Sequence, residues 1–186
     1  ALTTADILTG NVDVAEGVLV FDDNGAGPAV SCAEFMATRG ANVELVTADP
    51  HVAPLLERTI RPTFLKKLMS NGVILTPDHR LSEIYTEGNR LIAVLKNQYI
   101  DLEEEREVEQ VVIEYGSLPD ETLYNALVPH SVNYGEVRFD EMVAGKAQDV
   151  KTNPQGSFQL FRIGDAVATR NVHAAIYEAL RLCKDL

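Results

Sequence analysis

The chain has 186 residues, of which 46% are apolar and 24% charged, a composition typical of a globular protein that excludes wholesale disorder. Its formal net charge of −12 opposes binding to nucleic-acid backbones and to anionic membranes. The sequence has no apolar run long enough to span a membrane and no visible signal peptide. We therefore expect a cytoplasmic protein that binds neither nucleic acid nor a membrane.

The first part of the chain has the strand–helix–strand pattern of a parallel sheet. Residues 18–21 form an apolar, β-branched run that predicts a buried strand ending in a turn. Residues 28–39 have helical spacing between Pro28 and Gly40, which suit the two ends of a helix. Residues 43–47 predict the next strand. This pattern is typical of the opening of a doubly wound, Rossmann-like α/β sheet.

After this unit the pattern changes from parallel to antiparallel. Residues 61–71 predict an amphipathic helix, and residues 73–75 a third parallel strand. Three short alternating segments follow, and we interpret an acidic stretch among them, residues 101–107, as a solvated hairpin turn. The sequence therefore predicts an antiparallel β insert. Its three segments are residues 81–85, 90–95 and 108–113.

The last third of the chain has weaker patterning. Residues 129–155 are polar, and we interpret them as connecting structure with a helix near 139–144. Residues 158–163 predict a strand, which leads through a turn into a final helix at 171–184.

The loop after the first strand has the residues of a dinucleotide site in altered form. Such a loop needs small residues, because pyrophosphate lies against backbone N–H groups at the start of the helix. Here Asp22 and Asp23 would repel phosphate, and the glycine pattern is incomplete. The acidic residue expected at the end of the second strand is also missing, although Asp49 lies two residues beyond that position. NAD(P) binding is therefore doubtful. The candidate contacts are Asn24, Gly25, Ala26, Gly27 and Thr47.

The same loop permits a second interpretation. It looks like the start of a phosphorylation receiver domain, in which an acidic pair after the first strand holds Mg²⁺. That chemistry also needs an Asp at the end of the third strand and a Lys after the fifth. Asp78 lies three residues beyond the third strand, and no suitably placed Lys is evident. A magnesium-binding receiver is kept as an alternative.

Two later segments resemble parts of flavoprotein reductases that bind two dinucleotides. Residues 111–120 resemble the segment that closes the NAD(P) domain, with Gly116 matching and Glu114 and Tyr115 replacing a small Ala-Thr pair. Residues 163–176 resemble the second FAD fingerprint, in which an Asp accepts a hydrogen bond from a ribitol hydroxyl and a helix N-terminus faces the pyrophosphate. The resemblance assigns nucleotide contacts to Gly116, Gly164, Asp165, Asn171, Val172 and His173.

Together these segments cover most of the chain. It resembles the C-terminal part of the trimethylamine dehydrogenase and 2,4-dienoyl-CoA reductase class of NADH:flavin oxidoreductases, and most closely the N-methyl amine demethylases. The resemblance implies flavin-dependent oxidation or demethylation of a methylated amine, with NADH or an electron-transfer protein as redox partner. It also implies an upstream TIM barrel with FMN and a 4Fe-4S cluster, followed by the first half of a split FAD- or ADP-binding domain.

The resemblance also sets the expected domains. Residues 1–16 would be a crossover segment, residues 17–127 an NAD(P)-like Rossmann domain, and residues 128–186 the C-terminal part of a second, incomplete dinucleotide fold. This chain alone, with half of a FAD or ADP site, should not be catalytic. Cys32, Cys183 and the scattered histidines form no catalytic or metal-binding pattern. The alternative is a non-catalytic scaffold or docking domain that has lost its nucleotide.

Overall fold

The computed structural model describes residues 1–184. Within that range, no helix has both the length and the apolar character needed to cross a bilayer. Up to residue 116, helices and parallel strands alternate around an antiparallel group. In chain order these elements are β1 (Leu2–Thr3), α1 (Thr4–Leu8), β2 (Gly17–Asp22), α2 (Gly27–Ala37), β3 (Asn42–Thr47), α3 (Arg61–Ser70), β4 (Ile74–Thr76), β5 (His79–Glu87), β6 (Arg90–Asn97), β7 (Glu103–Val108) and β8 (Gln110–Glu114).

Five of these strands form a parallel sheet in the order β1-β8-β2-β3-β4, in which β2, β3 and β4 are the three parallel strands that the sequence predicts. Strand β2 is buried on both faces, because alternate side chains point to opposite sides of a strand. Val18 and Val20 pack in one apolar cluster with helices α1, α2 and α3. Leu19 and Phe21 pack in a second cluster with residues of the antiparallel group. The Rossmann-like α/β fold predicted from the sequence is therefore confirmed.

The antiparallel insert is also present, as a three-stranded sheet in the order β5-β6-β7. The prediction of a hairpin turn at residues 101–107 is wrong, because most of this acidic stretch is strand β7. Its inward-facing Arg106 lies 3.0 Å from Glu44 and 2.7 Å from Glu104, so the charges on that face are paired. The predicted segment at 108–113 divides between β7 and β8, and β8 belongs to the parallel sheet.

The first sixteen residues contribute more than a crossover. Strand β1 extends the parallel sheet by pairing with β8. Helix α1 buries Ile7 completely in the apolar cluster that contains Val18 and Val20. Thr3 caps this helix by accepting a hydrogen bond from the backbone N–H of Asp6.

A second compact unit begins at Ser117, whereas the sequence predicted a boundary after residue 127. Its helices are α4 (Thr122–Leu127), α5 (Phe139–Val143) and α6 (Val172–Cys183), with short 3₁₀ turns at Val128–His130 and Gly164–Ala166.

The strand predicted at residues 158–163 does not form among the described residues. Only an isolated bridge between Ser131 and Phe158 is present there. Instead, the Asn133 side chain accepts a hydrogen bond from the Leu160 N–H (2.9 Å) and donates one to the Leu160 carbonyl (2.8 Å). A buried amide side chain thus takes the place of a neighbouring strand.

Candidate functional site

The carboxyl ends of β8, β2 and β3 bring together three buried polar side chains. Asp22 is in register with Glu114 on one side and with Thr47 on the other. The exposed fractions of Asp22, Thr47 and Glu114 are 0%, 1% and 7%. The sheet order reverses between β2 and β8, which is where doubly wound sheets bind their ligands. In this unit that crevice is lined by two buried acidic residues.

Glu114 joins the two loops that border this crevice. Its Oε1 accepts hydrogen bonds from the Asn24 side-chain amide (3.3 Å) and from the Gly116 N–H (2.8 Å). Its Oε2 accepts a hydrogen bond from the Thr4 hydroxyl. A Cβ on Gly116 would lie 3.2 Å from the Asn24 side-chain oxygen, so the amide covers this glycine closely. Asn24 and Gly116, both predicted nucleotide contacts, therefore lie together, and each hydrogen-bonds to Glu114.

The two carboxyl oxygens of the buried Asp22 have different surroundings. Its Oδ1 accepts hydrogen bonds from the backbone N–H groups of Asn24 (3.1 Å) and Gly25 (2.9 Å). Its Oδ2 is buried and has no hydrogen-bond partner among the described residues. Burial, followed by the charges of Glu114 and Asp49, raises the pKa of Asp22 to about 6, although the two N–H bonds oppose the shift.

A segment after β3 covers the glycines of the first loop. The Leu55 N–H donates a hydrogen bond to the Gly25 carbonyl at 2.9 Å. A Cβ on Gly25 would lie 3.0 Å from the Pro54 ring, and one on Gly27 would lie 3.7 Å from Leu56. Sequence reasoning missed this cover, because residues 48–60 have no periodic pattern. The chain itself therefore lies against two predicted phosphate contacts.

Thr47 and Ala26 are the remaining predicted nucleotide contacts of the first unit. The Thr47 hydroxyl accepts a hydrogen bond from the Asp49 N–H at 3.2 Å. The Asp49 carboxylate would lie 3.2 Å from a Cβ on Gly25, so an acidic side chain does reach the glycine loop. Ala26 precedes α2 and gives the helix no side-chain cap.

The predicted contacts of the second unit come together at the start of α6. Asn171 caps this helix, with its side-chain oxygen accepting a hydrogen bond from the Ala174 N–H at 2.9 Å. Val172 and His173 form the exposed first turn. Asp165 is also exposed, and its Oδ1 accepts a hydrogen bond from the Arg170 N–H at 3.3 Å. An exposed carboxylate therefore precedes an exposed helix start.

The backbone of Gly164 is contacted by other residues of the second unit. Its N–H donates a hydrogen bond to the Glu178 carboxylate at 2.7 Å. Glu178 also pairs with Arg170, and these hydrogen bonds lower the pKa of Glu178. Gly164 has a φ of +60°, and a Cβ there would lie 3.0 Å from Ala175 of α6. Glycine at this position thus allows the turn to pack against the helix.

The carboxylates of the first unit do not have the arrangement of a metal site. Among residues 1–184, no group of three or more His, Cys, Asp or Glu side chains is placed to hold a metal ion. Asp78, the acid considered for a receiver site, accepts a hydrogen bond from the Tyr99 hydroxyl at 3.2 Å. The geometry of the described residues therefore does not favour the magnesium-binding alternative.

The amino-acid sequence is similar to a family model and to known proteins. Residues 25–179 match the family model described as pyridine nucleotide-disulphide oxidoreductase. The chain is 44% identical over 181 residues to a probable N-methylproline demethylase of Rhizobium meliloti, covering 97% of this chain. It is 43% identical over 188 residues to an N,N-dimethylglycine/sarcosine dehydrogenase of Chromohalobacter salexigens, covering 99% of this chain. The chain spans 27% of the length of each of these relatives.

A solved structure shares the fold. Histamine dehydrogenase from Rhizobium sp. 4-9 superposes with a TM-score of 0.71 at 20% sequence identity. The match covers 97% of this chain and 25% of that chain.

Proposed function

Because the chain belongs to the pyridine nucleotide-disulphide oxidoreductase family, we propose that it is the nucleotide-binding region of a flavin-dependent oxidoreductase that acts on N-methylated amines. The two curated relatives described above support this substrate class, because their names specify N-methylproline, dimethylglycine and sarcosine. The finer assignment is to the trimethylamine dehydrogenase and 2,4-dienoyl-CoA reductase class. The observation that carries the proposal is the exposed Asp165 beside the exposed start of α6.

These residues fit one half of a FAD or ADP site. The Asp165 carboxylate is exposed and can accept hydrogen bonds from ribitol or ribose hydroxyls. The α6 helix has twelve residues, and its positive N-terminal end favours phosphate by about 0.3–1 kcal/mol when exposed. Among the described residues, the Asn171 side chain accepts the Ala174 N–H, and the Val172 and His173 N–H groups at the helix start are left for a ligand. When bound, the flavin accepts the electrons released by amine oxidation.

The surface of α6 supports the proposal that further chain completes this unit. Val172, Ile176 and Leu180 recur at intervals of four residues, which places them on one face of the helix. Each of these side chains is more than 60% exposed, whereas an apolar helical face is normally buried. We propose that the first half of the split FAD domain covers this face, together with the upstream barrel that would hold FMN and the 4Fe-4S cluster.

The first unit has a different role in this proposal. Its crevice is closed by Glu114 and Asn24, and its glycines are covered by Pro54 and Leu55. A phosphate placed there would also face the carboxylates of Asp22 and Asp49, so charge opposes its binding. We propose that this unit retains the dinucleotide-binding fold as a packing domain and does not bind NAD(P)H. An electron-transfer protein is then the favoured redox partner.

Anaerobic reduction of the flavin tests the proposed activity. In the full-length protein, N-methylproline, dimethylglycine or sarcosine is expected to bleach the flavin absorbance, whereas NADH and NADPH are expected to leave it unchanged. Proline and glycine are matched controls without the N-methyl group. Rapid bleaching by low-micromolar NADH, or the absence of bleaching by every methylated amine, would contradict the proposal.

A further inference from the structure

In the proposed function the carboxyl group of Asp22 only opposes phosphate, yet its burial has a further consequence. Its two oxygens have opposite surroundings: Oδ1 accepts hydrogen bonds from the N–H groups of Asn24 and Gly25, whereas Oδ2 has no partner within residues 1–184. Because Asp22 is 0% exposed, its carboxyl group has no contact with bulk solvent. A buried carboxylate oxygen without a donor is strongly disfavoured in its charged form.

The charged and titratable groups around Asp22 make ionisation still less favourable. Glu114 faces it from β8, and Asp49 faces it from the segment after β3. On helix α2, burial and then the charge of Glu114 raise the pKa of the Cys32 thiol to about 12, so this neighbour of Glu114 adds no positive charge. The ion pairs found among residues 1–184 include no partner of Asp22, Glu114 or Asp49. The surroundings thus supply negative charge and no compensating cation.

We propose that Asp22 is a protonation switch that controls the closure of the first loop, residues 23–27, over the carboxyl edge of the parallel sheet. Neutral Asp22 keeps Oδ1 as acceptor for Asn24 and Gly25 and leaves no charge on Oδ2, which has no partner among the described residues. Ionised Asp22 places an unpaired charge beside Glu114 and Asp49. Opening of the loop relieves this charge by admitting water, at the expense of the two N–H bonds.

The direction of the pH dependence follows from the difference between the two states. In the closed loop the pKa of Asp22 is about 6, and in a hydrated, open loop it returns towards its ordinary value of 3.8. The closed state therefore binds the proton more tightly. Its advantage is complete below the open-state pKa and is lost as the pH rises through the closed-state pKa. A difference of about two pKa units corresponds to about a 100-fold change in the opening equilibrium.

Amide hydrogen exchange at Asn24 and Gly25 reports the switch directly, because these N–H groups bond to Asp22. In the full-length protein, their protection factors, corrected for the intrinsic pH dependence of exchange, are expected to fall by about 50-fold between pH 4 and pH 7. In Asp22→Asn, which keeps a side-chain oxygen for both donors but does not ionise, the protection is expected to be independent of pH over this range.

Two further variants separate the switch from a general loss of stability. Asp23→Asn removes the neighbouring exposed carboxylate and is expected to leave the pH profile unchanged. Glu114→Gln removes the facing charge and is expected to shift the midpoint to lower pH. If Asp22→Asn does not fold, a carboxyl carbon NMR titration of the unmodified protein measures the pKa of Asp22 directly, and a midpoint near pH 6 is expected. A midpoint for Asp22 near pH 4, or a pH profile that persists in Asp22→Asn, would overturn the proposal.

Discussion

Replacing Gly156 with alanine is expected to lower the free energy of unfolding of the second unit by about 4 kcal/mol or more, the upper end of the range for single substitutions. A Cβ at this position would overlap the backbone of Val132 and lie 2.6 Å from the Ser131 carbonyl oxygen. That backbone is fixed by the Asn153 side chain, which donates to the Ser131 carbonyl at 2.9 Å, and by the hydrogen bond from Val132 to Phe158. The added methyl group can therefore be accommodated only if these hydrogen bonds break.

Urea denaturation of the chain, followed by a probe in the second unit, measures this effect. Gly145→Ala is the matched control, since Gly145 has a φ of +64° but no atom within 4 Å of the added Cβ. It should lose only about 1–2 kcal/mol, the cost of the left-handed conformation. Equal effects of the two variants would show that residues 131–132 yield easily to the added methyl group.

The second large effect is expected in the first unit. Phe21→Ala should lower its free energy of unfolding by about 3–5 kcal/mol, the usual range for removal of a buried phenyl ring. Phe21 is 1% exposed and packs in the cluster that joins the parallel sheet to the antiparallel one. Its ring also contacts Tyr115 edge-on, with 6.1 Å between the ring centroids. The substitution would leave a cavity between the two sheets.

Tyr115→Ala separates the two contributions to this effect. Tyr115 is 65% exposed, so its removal leaves no closed cavity and costs only the edge-on contact, about 1 kcal/mol. Both variants can be compared by thermal and urea denaturation. A loss at Tyr115→Ala as large as that at Phe21→Ala would indicate that the two sheets do not bury Phe21 as described.

Three strands of the parallel sheet, β2, β3 and β4, could be predicted because their signals are local. Strand β2 is a continuous apolar run, and Pro28 and Gly40 mark the ends of the next helix within a few residues. Strand β7 was missed because five of its six residues are charged, which is typical of a solvated turn. Its inward Arg106 pairs with the nearby Glu104 and also with Glu44, which lies 62 residues earlier in the chain. A pairing at that separation leaves no signal in a local pattern.

For the candidate site, the sequence indicated residue types but not how their side chains are arranged. The sequence indicated that Asp22 would oppose phosphate, but not that it would be buried with one unpartnered oxygen. Glu114 was noted only as a departure from a motif, and its bonds to Thr4 and Asn24 depend on the parallel register of three strands. In the second unit, the motif predicted that Asp165 lies before the start of α6. It did not predict that the Glu178 side chain of that helix accepts a hydrogen bond from the Gly164 N–H.

The nucleotide content of the full-length protein tests most directly whether the second unit holds the nucleotide. Loss of a hydrogen bond to the Asp165 carboxylate is worth about 1.5–3 kcal/mol, or about a 10- to 100-fold weaker affinity. We therefore predict that Asp165→Ala purifies with less adenine nucleotide per protein and with its FMN retained. Asp149→Ala, which removes another exposed carboxylate of the same unit, should keep both. Undiminished adenine nucleotide in Asp165→Ala would contradict the assignment of the site.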